Sequence, residues 1–120
     1  MARTIPCLVE VFAESIMAQD NAESANEGNR QARICSEAFK ELVSEYGDEG
    51  REALKSLFEH PYPRVRCVSA AFLLRYDTCE SLRVLRELEK GSGLVAFGAS
   101  QSIKNWENGD WELDPEGGFR

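Results

Sequence analysis

The stretch that most constrains this chain is residues 60–74, His-Pro-Tyr-Pro-Arg-Val-Arg-Cys-Val-Ser-Ala-Ala-Phe-Leu-Leu. Pro61 blocks helix entry, whereas Pro63 suits the first turn of a helix, where a missing N–H costs no intrahelical bond. The following residues are apolar on nearly every side: Val65, Cys67, Val68, Ala70, Ala71, Phe72, Leu73 and Leu74. A helix with such a surface must be covered on two faces. Its small residues, Ser69, Ala70 and Ala71, let a neighbouring helix come close. The pattern therefore predicts a central helix over 63–76.

Apolar positions recur at helical spacing along most of the chain, and no clean alternating run suggests a strand. The first segment, 4–20, places Ile5, Leu8, Phe12 and Ile16 on one face. A polar stretch from Asp20 to Asn29 reads as a loop. The second segment, 30–46, carries Ile34, Cys35, Ala38, Phe39, Leu42, Val43 and Tyr46 in a wide stripe. Gly47 ends it and Asp48 caps the third, 49–59, with Leu54, Leu57 and Phe58. Asp77 and Glu80 form a capping-box pattern for the fifth, 78–90. Ser92 caps the sixth, 93–106, with Leu94, Val95, Ala99, Ile103 and Trp106. Beyond it the chain is acidic and glycine-rich, with Trp111 and Phe119 as its large apolar groups.

Six helices in three hairpins invite an internal alignment. Residues 65–74 laid on 94–103 match Val65 with Leu94, Val68 with Phe97, Ala70 with Ala99 and Leu74 with Ile103. Residues 31–42 fit less well. The motif Pro63-x-Val65-Arg66, with Ala70-Ala71 and Leu74, resembles the second helix of a HEAT-type repeat. That resemblance covers 49–106. It implies an all-α fold of three stacked helical hairpins, a short right-handed HEAT-like superhelix over 1–106, with an acidic tail over 107–120 packing on or leaving the last repeat. HEAT repeats often carry an aspartate where this chain has His60. With Ile103-x-x-Trp106 and Gly109, the His60-Pro-x-Pro-x-Val-Arg66 core resembles a small bacterial domain-of-unknown-function family. Such a likeness implies a fold and no established activity.

Charge and composition narrow the function. The net charge is −7, which disfavours nucleic acid and anionic membranes as partners. The charge is uneven: residues 1–63 sum to −6, 64–106 to +3 and the tail to −4. No run approaches the roughly 18 apolar residues that span a bilayer, and Glu10 and Glu14 spoil the N-terminus as a signal peptide. A cytoplasmic protein is expected. The cysteines, Cys7, Cys35, Cys67 and Cys79, form no C-x-x-C pair and read as reduced, buried small hydrophobes, not as zinc ligands.

No cofactor, metal or catalytic set is expected. Gly91-Ser-Gly-Leu-Val-Ala96 satisfies a dinucleotide-binding spacing, but a leucine-rich helix precedes it instead of a strand. It reads as a helix stop followed by a helix start. His60 is the sole histidine, so any histidine-dependent nucleophile must use it; its place beside Pro61 assigns it to the turn instead. Glu37, Glu41 and Glu45 form an i, i+4, i+8 stripe that reads as a solvated face or as an acidic partner-binding face. Trp106 and Trp111 flank a polar stretch; Trp111 is expected to fold back and cap the last repeat, and both suit a contact surface.

The function these features favour is non-enzymatic protein binding, with Glu37, Glu41, Glu45, Arg66, Trp106 and Trp111 as candidate contact residues. Its sharpest form is an immunity or antidote protein that blocks a basic toxin. The alternatives are a generic adaptor and a HEAT-like DNA-glycosylase-type enzyme, the latter disfavoured by the acidity of the chain.

Overall fold

The computed structural model describes residues 2–114, so Phe119 lies outside them. Among the described residues there are five α-helices, one 3₁₀ helix and no strand. The fold is all-α, as the periodicity requires. The chain divides into two compact units, residues 1–56 and 57–120.

The first unit is α1 (Ile5–Asp20) against α2 (Ala25–Leu54). Thr4 caps α1 by accepting the Cys7 N–H at 3.3 Å. The Leu8, Phe12 and Ile16 face is buried, as is the Cys35, Ala38, Phe39 and Leu42 stripe of α2. The Phe12 and Phe39 rings meet with centroids 6.4 Å apart. The connection is shorter than the polar stretch suggests. Only residues 21–24 are outside helix, because Ser24 caps α2 by accepting the Glu27 N–H at 3.1 Å. Glu27 then binds Arg30 and Gln31 one turn later. Those bonds, Arg30 foremost, hold the Glu27 carboxyl down to about 2.

Gly47 breaks the backbone direction as expected, with φ 57° and ψ −134°, although helical hydrogen bonding resumes at once and α2 continues to Leu54. A side chain at that φ is strained, which is why glycine sits there. The limb after the kink closes on the one before it. A β-carbon on Gly50 would lie 2.6 Å from the Leu42 carbonyl oxygen.

The second unit begins within the 3₁₀ helix, Lys55–Glu59, whose Leu57 and Phe58 are buried. It holds α3 (Pro63–Phe72), α4 (Thr78–Glu89) and α5 (Gly93–Asn108). Pro63 is the first helical residue of α3. The helix is shorter than 63–76, but Leu73, Leu74 and Tyr76 stay buried in the turns that follow. It packs on both α4 and α5, the double cover that its all-round apolar surface demands. Asp77 caps α4 through the Glu80 N–H at 3.3 Å. The reciprocal half of the capping box does not form: Glu80 turns to Arg83, and the Asp77 N–H donates to the Leu73 carbonyl.

Two sequence expectations need correction here. Ser92 stands at the N-cap of α5 but makes no side-chain cap bond. The internal alignment holds only in its second half. Ala70 and Ala99 are both fully buried, and Leu74 and Ile103 both lie in the core. Val65, however, is 0% exposed where its counterpart Leu94 is 85% exposed, and Phe97 is 68% exposed. The core stripe of α5 is Ala96, Ala99 and Ile103, which leaves Leu94 and Phe97 on a second, outward stripe.

The close approach at Gly50 sets a stability test. Gly50→Ala should destabilise the protein by about 1–3 kcal/mol, the usual cost of overpacking, because the opposing atom is backbone and cannot rotate away. Urea melts of the variant beside the parent measure it; an unchanged midpoint would mean that the two limbs of α2 do not meet there.

Candidate functional site

The outward stripe of α5 borders a groove. Arg64, Cys67, Val68 and Ala71 of α3 form one wall, and Leu94, Val95, Gly98 and Ser102 of α5 the other. Leu113 closes one side, and the groove encloses about 380 Å³. Gly98 faces Cys67 across the groove, and a β-carbon there would stand 4.0 Å from the Cys67 sulfur, an ordinary contact. Burial pushes the Cys67 thiol up, with Arg64 opposing the shift. That thiol is thus a wall atom and a poor nucleophile at neutral pH. Leu94 and Leu113 are large apolar side chains of this lining left to water, and Phe97, also exposed, stands one helical turn from Leu94.

The tail reaches the groove through a helix stop that sequence reasoning placed two residues early. Gly109 adopts the left-handed conformation, φ 79°. Its N–H donates to the Trp106 carbonyl, and the Asp110 N–H donates to Asn105 at 2.9 Å. This Schellman pair reverses the chain. Trp111 then meets Trp106 edge-on, centroids 5.2 Å apart, and its Nε1–H donates to the Ala71 carbonyl at 2.7 Å. Ala71 lies in the last turn of α3, where carbonyls lack intrahelical donors, so the indole caps that helix. Trp111 does fold back, onto α3 and Trp106. A shallower hollow lies beside the pair, lined by Arg75, Glu107 and Gly109.

The other sequence candidates are placed differently. Glu37, Glu41 and Glu45 lie on α2 in the first unit and do not form an open acidic stripe. Glu41 accepts the Arg3 backbone N–H and its guanidinium, both at 2.9 Å, while Tyr46 OH donates to the Arg3 carbonyl at 2.7 Å. Those bonds, the Arg3 side chain foremost, hold the Glu41 carboxyl below its ordinary range. Glu37 is exposed beside Arg33 and Lys40 in a shallow depression, and Glu45 is exposed. Arg66 donates to the His60 carbonyl at 2.6 Å, and the Tyr62 N–H donates to His60 Nδ1 at 3.0 Å. Both residues hold the Pro-x-Pro turn. Cys35 and Cys67 are buried as expected, but Cys7 and Cys79 are exposed, since each stands in the first turn of a helix on its outer side. Among the described residues, no group of three or more histidine, cysteine, aspartate or glutamate side chains could hold a metal ion. Among the described residues, no helix is long and apolar enough to cross a membrane.

The sequence missed Arg64, Leu94, Phe97 and Leu113. A usable signal was present: 96, 99 and 103 form a complete i, i+3, i+7 core stripe, which makes Leu94 and Phe97 surplus to it.

Two measurements test these placements. Arg3→Ala should move the Glu41 titration upward toward the ordinary carboxylate range, though not all the way because the residue 3 backbone N–H remains a donor, and carboxyl NMR follows it. Because the folded-state value is depressed, the pairing stabilises the fold above that range and is lost as pH falls below it. An unmoved Glu41 titration would remove the Arg3 bond. Trp111→Phe keeps a ring but strips the donor from the Ala71 carbonyl, and should cost about 1 kcal/mol in a denaturant melt.

No curated protein and no solved structure matches the chain. Residues 7–101 match the model of DUF2019, a domain of unknown function, and the chain belongs to that family.

Proposed function

We propose that this chain is a non-enzymatic protein-binding module built from HEAT-like helical hairpins, and that it binds through the groove between α3 and α5. The observation that carries the proposal is the exposure of Leu94 and Leu113 in the lining of that groove, with exposed Phe97 one helical turn from Leu94. Large apolar side chains left in water along a concave apolar face are the usual mark of a contact surface. The HEAT-like arrangement draws support from the Pro63 helix start, the doubly covered α3 and the burial of Ala70 and Ala99 at aligned positions. The engagement of His60 in its own turn supports the absence of a histidine-dependent reaction. Exposed free thiols at Cys7 and Cys79 suit a reducing compartment and so support a cytoplasmic home.

An immunity protein against a basic toxin is the second reading. The exposed Glu37 and Glu45 favour it, within a first unit that carries eleven acidic and six basic residues over 1–56.

One experiment separates these. The tagged parent is compared with Leu94→Ser/Phe97→Ser and with Glu37→Lys/Glu45→Lys in pull-downs from its source cells. The serine pair should lose the parent's specific partner while its melt stays put, because both side chains are already exposed. Loss with the lysine pair alone would move the site to α2. Turnover of an ester, phosphoester or nucleic-acid substrate that disappears with His60→Gln would overturn the non-enzymatic reading.

A further inference from the structure

Among the described residues, the large apolar side chains left exposed are Leu94, Phe97 and Leu113, at 85%, 68% and 45%. All three belong to the second unit, on α5 and the segment after it. They leave roughly 300 Å² of apolar side chain in water. The outward stripe of α5 is Leu94, Phe97, Gln101 and Lys104, all exposed, and its apolar half lies at the N-terminal end. Leu94 belongs to the groove lining with Val68, Ala71 and Val95, whereas Phe97 stands outside the lining, one helical turn away. A ridge therefore lies beside a hollow. Charge narrows what covers this surface. The chain carries −7, and its two longest runs without a carboxylate are residues 60–76 and 90–106, which hold α3 and most of α5. The lining contains one charged residue, Arg64, and the acids Glu112 and Asp114 flank Leu113 in sequence.

We infer that this face joins two copies of the chain about a two-fold axis, with Phe97 of each copy set in the groove between α3 and α5 of the other. This rests on the protein-binding reading and names a second copy as the partner of that site. A two-fold contact uses one patch twice, so the patch must offer both knob and hole. Phe97 beside a groove of about 380 Å³ offers both. Two copies at −7 repel, so their contact is least opposed where acids are few, and residues 60–76 and 90–106 are those places. The size suits a reversible dimer. Pairing hides roughly 600 Å² of exposed apolar side chain from the two copies together. With the groove walls and a polar rim, the contact reaches about 1,000–1,200 Å² in total, the lower end of specific interfaces. A contact of that size comes apart on dilution.

The test is sedimentation velocity of the full chain from micromolar to millimolar concentration. The parent should pass from monomer to dimer across that range. Raising salt from low to physiological should tighten the dimer several-fold, because salt screens the repulsion between two acidic copies. Leu94→Ser/Phe97→Ser should stay monomeric at every concentration, with a melt that matches the parent's where the parent is itself monomeric. Gly98→Leu keeps the exposed stripe but fills the groove. A β-carbon there meets the Cys67 sulfur at 4.0 Å, an ordinary contact, so this variant should fold and weaken the dimer at least tenfold. A parent that stays monomeric throughout overturns the inference and gives the groove to a different protein. A dimer indifferent to the serine pair, or one that loosens as salt rises, overturns it as well. A dimer lost with the serine pair but untouched by Gly98→Leu overturns the seating of Phe97 in the groove. The protein-binding reading fails separately, in the pull-down, when the serine pair keeps the parent's specific partner.

Discussion

Ser69, Ala70 and Ala71 let α3 be covered twice, and the second unit is arranged around that cover. Small side chains permit α4 and α5 both to approach one ten-residue helix. The arrangement would fail if Ser69 buried an unsatisfied hydroxyl, since such a group costs a few kcal/mol in an apolar setting. Its Oγ–H is instead directed at its own helix, with the Val65 carbonyl 2.8 Å away, so the residue acts as a small filler. Where α3 faces α5 a groove remains between them, with exposed Leu94 in its lining.

Much of this was legible in the residues. Pro61 and Pro63 set the start of α3, Gly47 marks the break in α2, and Asp77 marks the start of α4, because each acts through covalent geometry or a bond to a backbone group within three residues. What escaped depended on partners distant in sequence or on choosing between equivalent patterns. The polar stretch after Asp20 looked like a loop because its side chains were counted singly; Glu27, Arg30 and Gln31 in fact support one another across a helical turn. The alignment of Leu94 with Val65 treated all apolar positions as core, although the 96, 99 and 103 stripe already completes the buried face of α5.

The acidic face failed for a related reason. Glu37, Glu41 and Glu45 share a helix face by spacing, and spacing is all that a sequence displays. Arg3, thirty-eight residues from Glu41, neutralises the middle of the three and ties the start of α1 to α2. Conversely, Leu94 is visible in the sequence as an apolar residue, but only the packing of α3 beside α5 places it at a groove.

The bond between the Trp111 indole and the Ala71 carbonyl spans forty residues. Closing a loop of that length costs on the order of 3 kcal/mol in chain entropy, so one hydrogen bond does not hold it unaided. The docking of α3 with α4 and α5 supplies the remaining proximity. Leu113 lies two residues beyond Trp111 and lines the groove, so the tether on one indole also fixes where that leucine can lie.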